Sequence, residues 1–484
     1  MVGQQIAMPP REALGWFTRP GDCDAVAEWV RSASSRRVGI ALDMLCYGGL
    51  VASRAAAVEL AAALERLNAL RELRSRRGDA VIFAFSTITR LGKTVACASD
   101  LQEHLLLRSY CQLLDRVERL GEQEARIELE RTQRRLDPER LSDYMAVRRR
   151  NHAVNRASLQ LVAERVIDYL VLAQEDAAPV GIHIPEQIAL RDQIDEYRIA
   201  DRATITCGAD EMTMMLTARH MADEVGMAPG IAADFSAQRG ADVVPAFESE
   251  PLRETVRSHI EIVGGRPALP ADCDAILFVH APIGTQPDIS EAPPPGQAPS
   301  LAMQAESVVD RVEAAAAAGR LFGLADVAYC NGADPELIAA LERRNALSQL
   351  GAFAGWNTAA NTLGTVVSQL CMMASHTTSL HQESVRRFLA ARLMDDYGYQ
   401  SCVRRAALSY AEQIGADPFC LGEASRDLES FVSTELEPLA YRYVSQLLAA
   451  CGGSPSARIT LPWGRLFEIE IGSPSPLEAP KNLQ

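Results

Sequence analysis

ATITCGADEMTMMLTARHMADEV, residues 203–225, is the stretch whose reading decides the fold. Ala203–Cys207 is a short apolar run with β-branched residues that stops at Gly208, as a strand stops at a turn. From Met212 to Val225 the apolar residues return at steps of three and four, the spacing of one helical face. One strand followed by one helix is half of a parallel α/β unit, and the acidic pair Asp210 and Glu211 sits at the junction.

The same unit recurs on both sides. Further candidate strands are Val38–Leu42, Ala80–Phe85, Tyr169–Ala173, Asp242–Phe247, Ala275–Val279, Leu321–Ala325 and Gly351–Gly355. Helical periodicity follows them, as in Arg54–Arg77, Met303–Ala318 and Pro335–Leu347. Strands alternating with helices predict a parallel sheet with right-handed crossovers, and eight such units predict a (β/α)8-type barrel; a doubly wound parallel sheet is the alternative.

Residues 1–365 are expected to form this barrel-like catalytic domain, and residues 366–484 a mainly helical region packed on it. The Arg/Glu-rich stretch 101–166 reads as a helical excursion, and its runs RTQRRLDPER and VRRRNH as a solvated helix face or a basic contact surface. IGTQPDISEAPPPGQAPS, residues 283–300, reads as a loop above a strand end, and ARITLPWGRLFEIEI as a strand returning to the body.

Composition narrows the class. Hydrophobic residues at 48% and charged residues at 23% fit a globular chain, and 484 residues suffice for a large core. The formal charge of −15 opposes sequence-independent binding to nucleic acid. The N-terminus lacks a signal-peptide pattern and no run is long enough to span a bilayer, so a cytoplasmic protein without membrane partners is expected. Eleven cysteines without CxxC or zinc-finger spacing read as buried thiols.

In parallel α/β folds the loops after the strands converge on one face, so the residues there can share a site. They are Asp43, Arg90, Glu175 with Asp176, Asp210 with Glu211, Glu248, His280, Asp326 with Asn331, and Trp356 with Asn357. Each alone could be a cap or a turn residue. Together, so many carboxylates would repel one another unless a metal, a cationic substrate or raised pKa values relieved them. Asp210 and Glu211 suit hydrolysis of acetamido sugars, Asp210 orienting the acetamido group and Glu211 protonating the departing oxygen; Glu175 and Asp176 could add a carboxylate across the scissile bond. His280 is expected at the rim of its strand, and Trp356 with Asn357 suits the apolar face and hydroxyl edge of a sugar ring.

LDMLCYGGLVASR, FAFSTITR, EDAAPVGIH, GADE, VHAP, DVAYCNGAD, GWNTAANTLGT and LPWGRLFEI resemble, in order and spacing across nearly the entire chain, the successive signatures of the bacterial domain-of-unknown-function family 4127. The resemblance implies one integral unit and brings no activity with it. It also implies a first strand with a PLDxRP-like motif, expected to be missing from a chain that opens at MVGQQIAMPP, and an Asp where this sequence has Glu175.

The leading expectation is a glycoside-hydrolase-like enzyme with catalytic Asp210, Glu211, Asp176 and Glu175. Asp43, Arg90, His280, Asp326, Asn331, Trp356 and Asn357 would bind its carbohydrate or other small-molecule substrate, and no cofactor is required. A Mg or Mn-dependent hydrolase or lyase using Asp43, Asp176, Asp210, His280 and Asp326 is the second reading, and a non-catalytic carbohydrate or small-ligand binder the third. No GxxxxGK[ST] or GxGxxG follows a candidate strand, and oligomeric state is not encoded legibly.

Overall fold

The computed structural model describes residues 5–291, 297–376, 381–448 and 458–472. Strands β1 (Arg37–Ala41), β2 (Val81–Ile88), β3 (Tyr169–Gln174) and β4 (Ala203–Cys207) form one sheet in the order β1-β2-β3-β4. A second sheet has the order β6-β5-β7-β8-β9, from β5 (Gly230–Phe235), β6 (Arg266–Pro267), β7 (Ala275–His280), β8 (Phe322–Asp326) and β9 (Ala352–Ala354). Every neighbouring pair in both is parallel. The α/β class is therefore as expected, whereas the barrel is not formed: among the described residues β4 does not pair with β5, nor β9 with β1.

Helix α1 (Cys23–Ser32) precedes β1, and α2 (Leu42–Tyr47), α3 (Leu60–Arg66) and α4 (Asn68–Arg76) lead to β2. The long excursion α5 (Leu101–Glu118), α6 (Ala125–Arg135) and α7 (Pro138–Ala163) leads to β3, and α8 (His183–Tyr197) to β4. Helices α9 (Met212–Glu224), α10 (Leu252–Ile262), α11 (Gln297–Ala317) and α12 (Pro335–Arg343) connect the later strands. After β9 come α13 (Ala359–Ser375), α14 (Gln382–Arg392), a π-helical stretch Leu393–Val403, α15 (Arg404–Gln413) and α16 (Ser425–Leu448).

Side chains alternate between the faces of a strand, and here the alternation sorts them into separate cores. Ile82, Ala84, Leu170 and Leu172 pack with Val30 of α1, Leu70 of α4, Val154 of α7 and Leu190 of α8. The intervening Phe83, Tyr169, Val171 and Ala173 pack instead on Met212, Met215 and Leu216 of α9. That middle core continues through Val256 of α10 and Val366 and Leu370 of α13 to Leu277 and Val279 of the second sheet. On the far face of that sheet Phe278, Phe322, Leu324 and Phe353 meet α11, α12 and α16. The layers are helix, sheet, helix, sheet, helix, and both faces of each sheet are covered, as buried parallel sheets require. The doubly wound alternative fits both sheets. What prevents closure is the middle layer: α13 is buried at every residue, so it needs apolar surface all round.

Other expectations are corrected. Asp242–Phe247 is not a strand; a tight 3-10 turn occupies Gln238–Asp242, and Pro245 cannot donate to a ladder. The strand lies upstream, at Gly230–Phe235. Arg54–Arg77 is broken near Leu67 into α3 and α4. The C-terminal stretch joins neither main sheet: β10 (Arg458–Thr460) pairs antiparallel with β11 (Glu470–Gly472), and the segment between them reaches the site. The run VRRRNH is not only a solvated face, because Arg148 and Arg150 are buried. Arg148 donates to the carbonyls of Thr89 and Arg90 and pairs with Glu186 at 2.6 Å. The loop expected at 283–300 gives way to α11 from Gln297, and 292–296 lie outside the described residues. Among the described residues no helix is long and apolar enough to cross a membrane.

Candidate functional site

The two sheets present their strand C-terminal ends to a shared cleft, the position where parallel α/β sheets bind ligands. Gly208-Ala209-Asp210 follows β4 and leads to α9; Gly355-Trp356-Asn357 follows β9 and leads to α13. The amide of Asn357 donates to Asp210 Oδ2 at 3.1 Å, so these two turns touch. Asn357 and Asn331 both hold left-handed backbone, φ 51° and 63°, which Asn tolerates better than most residues. The Asn331 N–H donates to the Asn357 carbonyl at 2.8 Å, which sets both residues at the cleft wall.

The cleft has a volume of about 330 Å3. Asp210, Asn331, Trp356 and Asn357 line one side of it. Arg392, Asp395 and Gln400 from α14 and the π-helical stretch, and Phe467 and Glu468 from the C-terminal hairpin, face them, and Glu211 and Met214 at the start of α9 lie at the inner wall. Trp356 is held by its indole N–H to the Thr365 hydroxyl at 3.2 Å and lies under the Arg392 guanidinium, 5.5 Å from the ring centroid. Arg392 is itself paired with Asp395 at 2.8 Å and Asp396 at 3.0 Å.

The carboxylates gathered at the first sheet are relieved from within the chain. Glu175 pairs with Arg54 and Asp176 with Arg90, and Arg90 also lies 3.9 Å from Glu175. Burial nevertheless raises the pKa of Glu175 against the pull of both arginines. Asp210 reaches solvent at the cleft, but the protein walls around it and the nearby Asp176 raise its pKa, while Arg54 and Arg90 lower it. Glu468 is pushed up to about 7, first by burial and then by Asp210 and Asp395.

Glu211 occupies a different place from the one expected of a proton donor. Its side chain is 0% exposed, enclosed where α9 meets α13. Oε2 accepts from the Ala209 N–H at 3.1 Å and from Asn361 Nδ2 at 2.6 Å, while Oε1, 3.8 Å from His259 Nε2, has no hydrogen-bond partner among the described residues. Burial pushes its pKa up to about 8, so near neutral pH it is a protonated acid, held at the inner wall of the cleft rather than open to it. Gly208 has φ 113°, and a Cβ there would lie 1.8 Å from Glu211 Oε1, so only glycine fits above this carboxyl. Glu248 is likewise buried and accepts from the Ala360 N–H at 2.5 Å, at the start of α13.

Three other candidates do not line the cleft. Asp43 is buried and accepts from the Thr87 N–H at 3.0 Å and hydroxyl at 2.9 Å, tying α2 to β2. Burial pushes its pKa up to about 6. His280, the last residue of β7, is fully buried rather than at a rim, its Nε2 lying 2.9 Å from Asp334 Oδ2. Asp326 accepts from the Asp334 N–H at 2.6 Å, and Asp334 in turn caps α12 through the Glu336 N–H at 3.0 Å. The five residues of the expected metal site are thus divided between this buried network, the Thr87 contact, the Arg90–Asp176 pair and the cleft. Among the described residues no group of three or more His, Cys, Asp or Glu side chains is placed to hold a metal ion.

Arg54, Arg392, Gln400, Arg465, Phe467 and Glu468 were not among the expected site residues. A test based on strand ends cannot find residues delivered by helices and a C-terminal hairpin. A sequence signal did exist, since Arg54 closes LDMLCYGGLVASR and the other hairpin residues lie in LPWGRLFEI.

Comparison with known proteins adds identity without chemistry. A family model described as "Protein of unknown function (DUF4127)" matches residues 1–472. No curated protein matches the chain, and no solved structure does.

Proposed function

The chain belongs to the DUF4127 family over nearly its whole length, and from that premise we propose that the cleft is the active site of a hydrolase acting on a sugar-type substrate by carboxylate acid–base chemistry. The observation carrying the reading is that one cleft holds two carboxyl groups with raised pKa, Asp210 and Glu468, beside a half-buried tryptophan. A carboxyl near pH 7 can hold a proton and release it in the same cycle, which is what an acid catalyst at neutral pH needs. Trp356 supplies the flat apolar surface for a sugar ring, and the amides of Asn331, Asn357 and Gln400 supply donors and acceptors for its hydroxyls or an acetamido group.

In this reading Glu468 protonates the departing glycosidic oxygen as the C–O bond breaks. Water supplies the new oxygen at the anomeric carbon, and its proton returns to the carboxylate pair. Asp210, fixed by Asn357 and facing the Arg54 and Arg90 cations, orients the substrate or receives that proton. Glu211 acts through position alone, by holding Asn361 and the turn that carries Asp210.

The test is a panel of chromogenic glycosides, including N-acetylhexosaminides, run with the wild-type protein and with Asp210→Asn, Glu468→Gln and Glu211→Gln. Loss of kcat by about 100-fold or more in the first two, with turnover kept in the folded third, is expected. Turnover abolished by chelator would replace this reading with a metal-dependent one, and a silent panel with retained sugar binding would make the protein a binder.

A further inference from the structure

The arginines in and around the cleft are unequally provided for. Arg54 has Glu175 and the Thr94 hydroxyl at 2.9 Å, and Arg90 has Asp176. Arg392 has Asp395 and Asp396. Arg465 has no ion pair or hydrogen bond among the described residues, although its Nε is buried. Its guanidinium rests between two rings, 4.7 Å from the centroid of Phe17 and 5.6 Å from that of the cleft-lining Phe467. Buried Nε atoms of Arg54 and Arg90 also lack acceptors among the described residues.

A planar cation resting against aromatic faces is oriented but not neutralised, and it sits beside the cleft-lining Phe467, close enough to Arg54 and Arg90 to feel their charge. Burial lowers its pKa and so do Arg54, Arg90 and Arg404, against the opposing pull of Glu468. A buried Nε without an acceptor costs free energy, and an anion reaching the terminal nitrogens of Arg465 would offset the repulsion from the neighbouring cations.

We propose that Arg465, with Arg54 and Arg90 beside it, forms an anion subsite at the edge of the cleft, so that the substrate is a sugar carrying a negatively charged group, a carboxylate or a phosphate. The assignment rests on the sugar-hydrolase reading for the word sugar, and on the unpaired guanidinium for the charge. The guanidinium fork matches either oxyanion, so the two sources share one recognition chemistry.

Calorimetric binding separates this inference from the catalytic one, because it needs no turnover. The probes are glucose, glucuronate, glucose 6-phosphate and inorganic phosphate, titrated into the full chain at low and moderate salt. At least one anionic sugar is expected to bind ten-fold or more tightly than glucose, with affinity falling as salt rises. Preference for glucuronate over glucose 6-phosphate assigns a carboxylate, and the reverse a phosphate. Arg465→Gln should erase the preference and Arg465→Lys should restore part of it, with unfolding curves checking that both variants fold.

Equal binding of neutral and anionic probes, no binding of any, or a preference surviving in Arg465→Gln would overturn the subsite. Hydrolysis of neutral glycosides without anion preference removes the subsite alone; anion preference without hydrolysis removes the enzyme reading alone.

Discussion

Glu211 shows how one carboxyl can be chemically prominent in sequence and still be enclosed by the core. It stands beside Asp210 at the end of a strand, and adjacency on the chain suggested a shared task. The backbone at the start of α9 sends the two side chains apart, Asp210 to the cleft and Glu211 into the contact with Asn361. The pH dependence of stability should report this. A carboxyl with a pKa near 8 in the folded state and near 4.5 in the unfolded chain leaves the folded state binding more protons between those values. Stability is therefore expected to fall as pH rises from about 5 to about 8, with a slope of at most ~1.4 kcal/mol per pH unit for one such group. Glu211→Gln, a neutral isostere of the protonated acid, should flatten that part of a Tm-against-pH curve; an unchanged slope would mean that Glu211 is ionised in the fold. Asp210, Asn331, Trp356 and Asn357 were legible because strand ends can be read from apolar runs and their stops. Glu468 and Arg465 were not, since nothing in local periodicity says that a C-terminal hairpin reaches back to the cleft.

Elements carry the site by how closely they approach one another. In α13, Gly364 lies against α9, and a Cβ there would meet Glu211 Cγ at 2.3 Å and Met215 Sδ at 2.8 Å. Alanine favours helix over glycine by about 1 kcal/mol, but overpacking costs about 1–3 kcal/mol and wins where two buried helices touch. Gly364→Ala is expected to lower the urea midpoint, and a raised midpoint would show that α9 and α13 can separate freely. Arg148 in α7 works at longer range. It holds the carbonyls of Thr89 and Arg90, and thereby the start of the segment from which Arg90 reaches Asp176. Arg148→Met leaves Glu186 and those carbonyls without their buried donor, a loss expected to cost about 3–5 kcal/mol in denaturant unfolding. The Arg-rich run was visible in sequence, but which arginines turn inward was not, because a 26-residue helix with charges on several faces does not announce its packed side. β5 escaped for a related reason: GIAADF is short and alanine-rich, whereas DVVPAF has the β-branched look of a strand and a proline that forbids it.

At the scale of the whole molecule, strand order alone could not distinguish a barrel from two sheets, since both run through the units in nearly the same sequence. The decisive feature was α13, AANTLGTVVSQLCMMAS, which has no charged face. A helix without one cannot lie on the outside of a barrel, and that much could have been read from the residues. Its place between the sheets makes the middle core common property: α9 comes from the first half of the chain, α13 from the second, and neither can be covered without the other. The link between β4 and β5 leaves α9 after Glu224 and resumes at Gly230. A chain cut there, expressed as residues 1–227 and 228–484, should yield two insoluble pieces apart and one soluble, noncovalent pair together, measured by co-purification of an affinity tag carried on one piece. Recovery of either piece alone as a folded monomer would mean that the halves bury their inner faces independently. On the expected outcome the protein is, in effect, a heterodimer that happens to be encoded as one chain, its cleft existing only after the two partners have met.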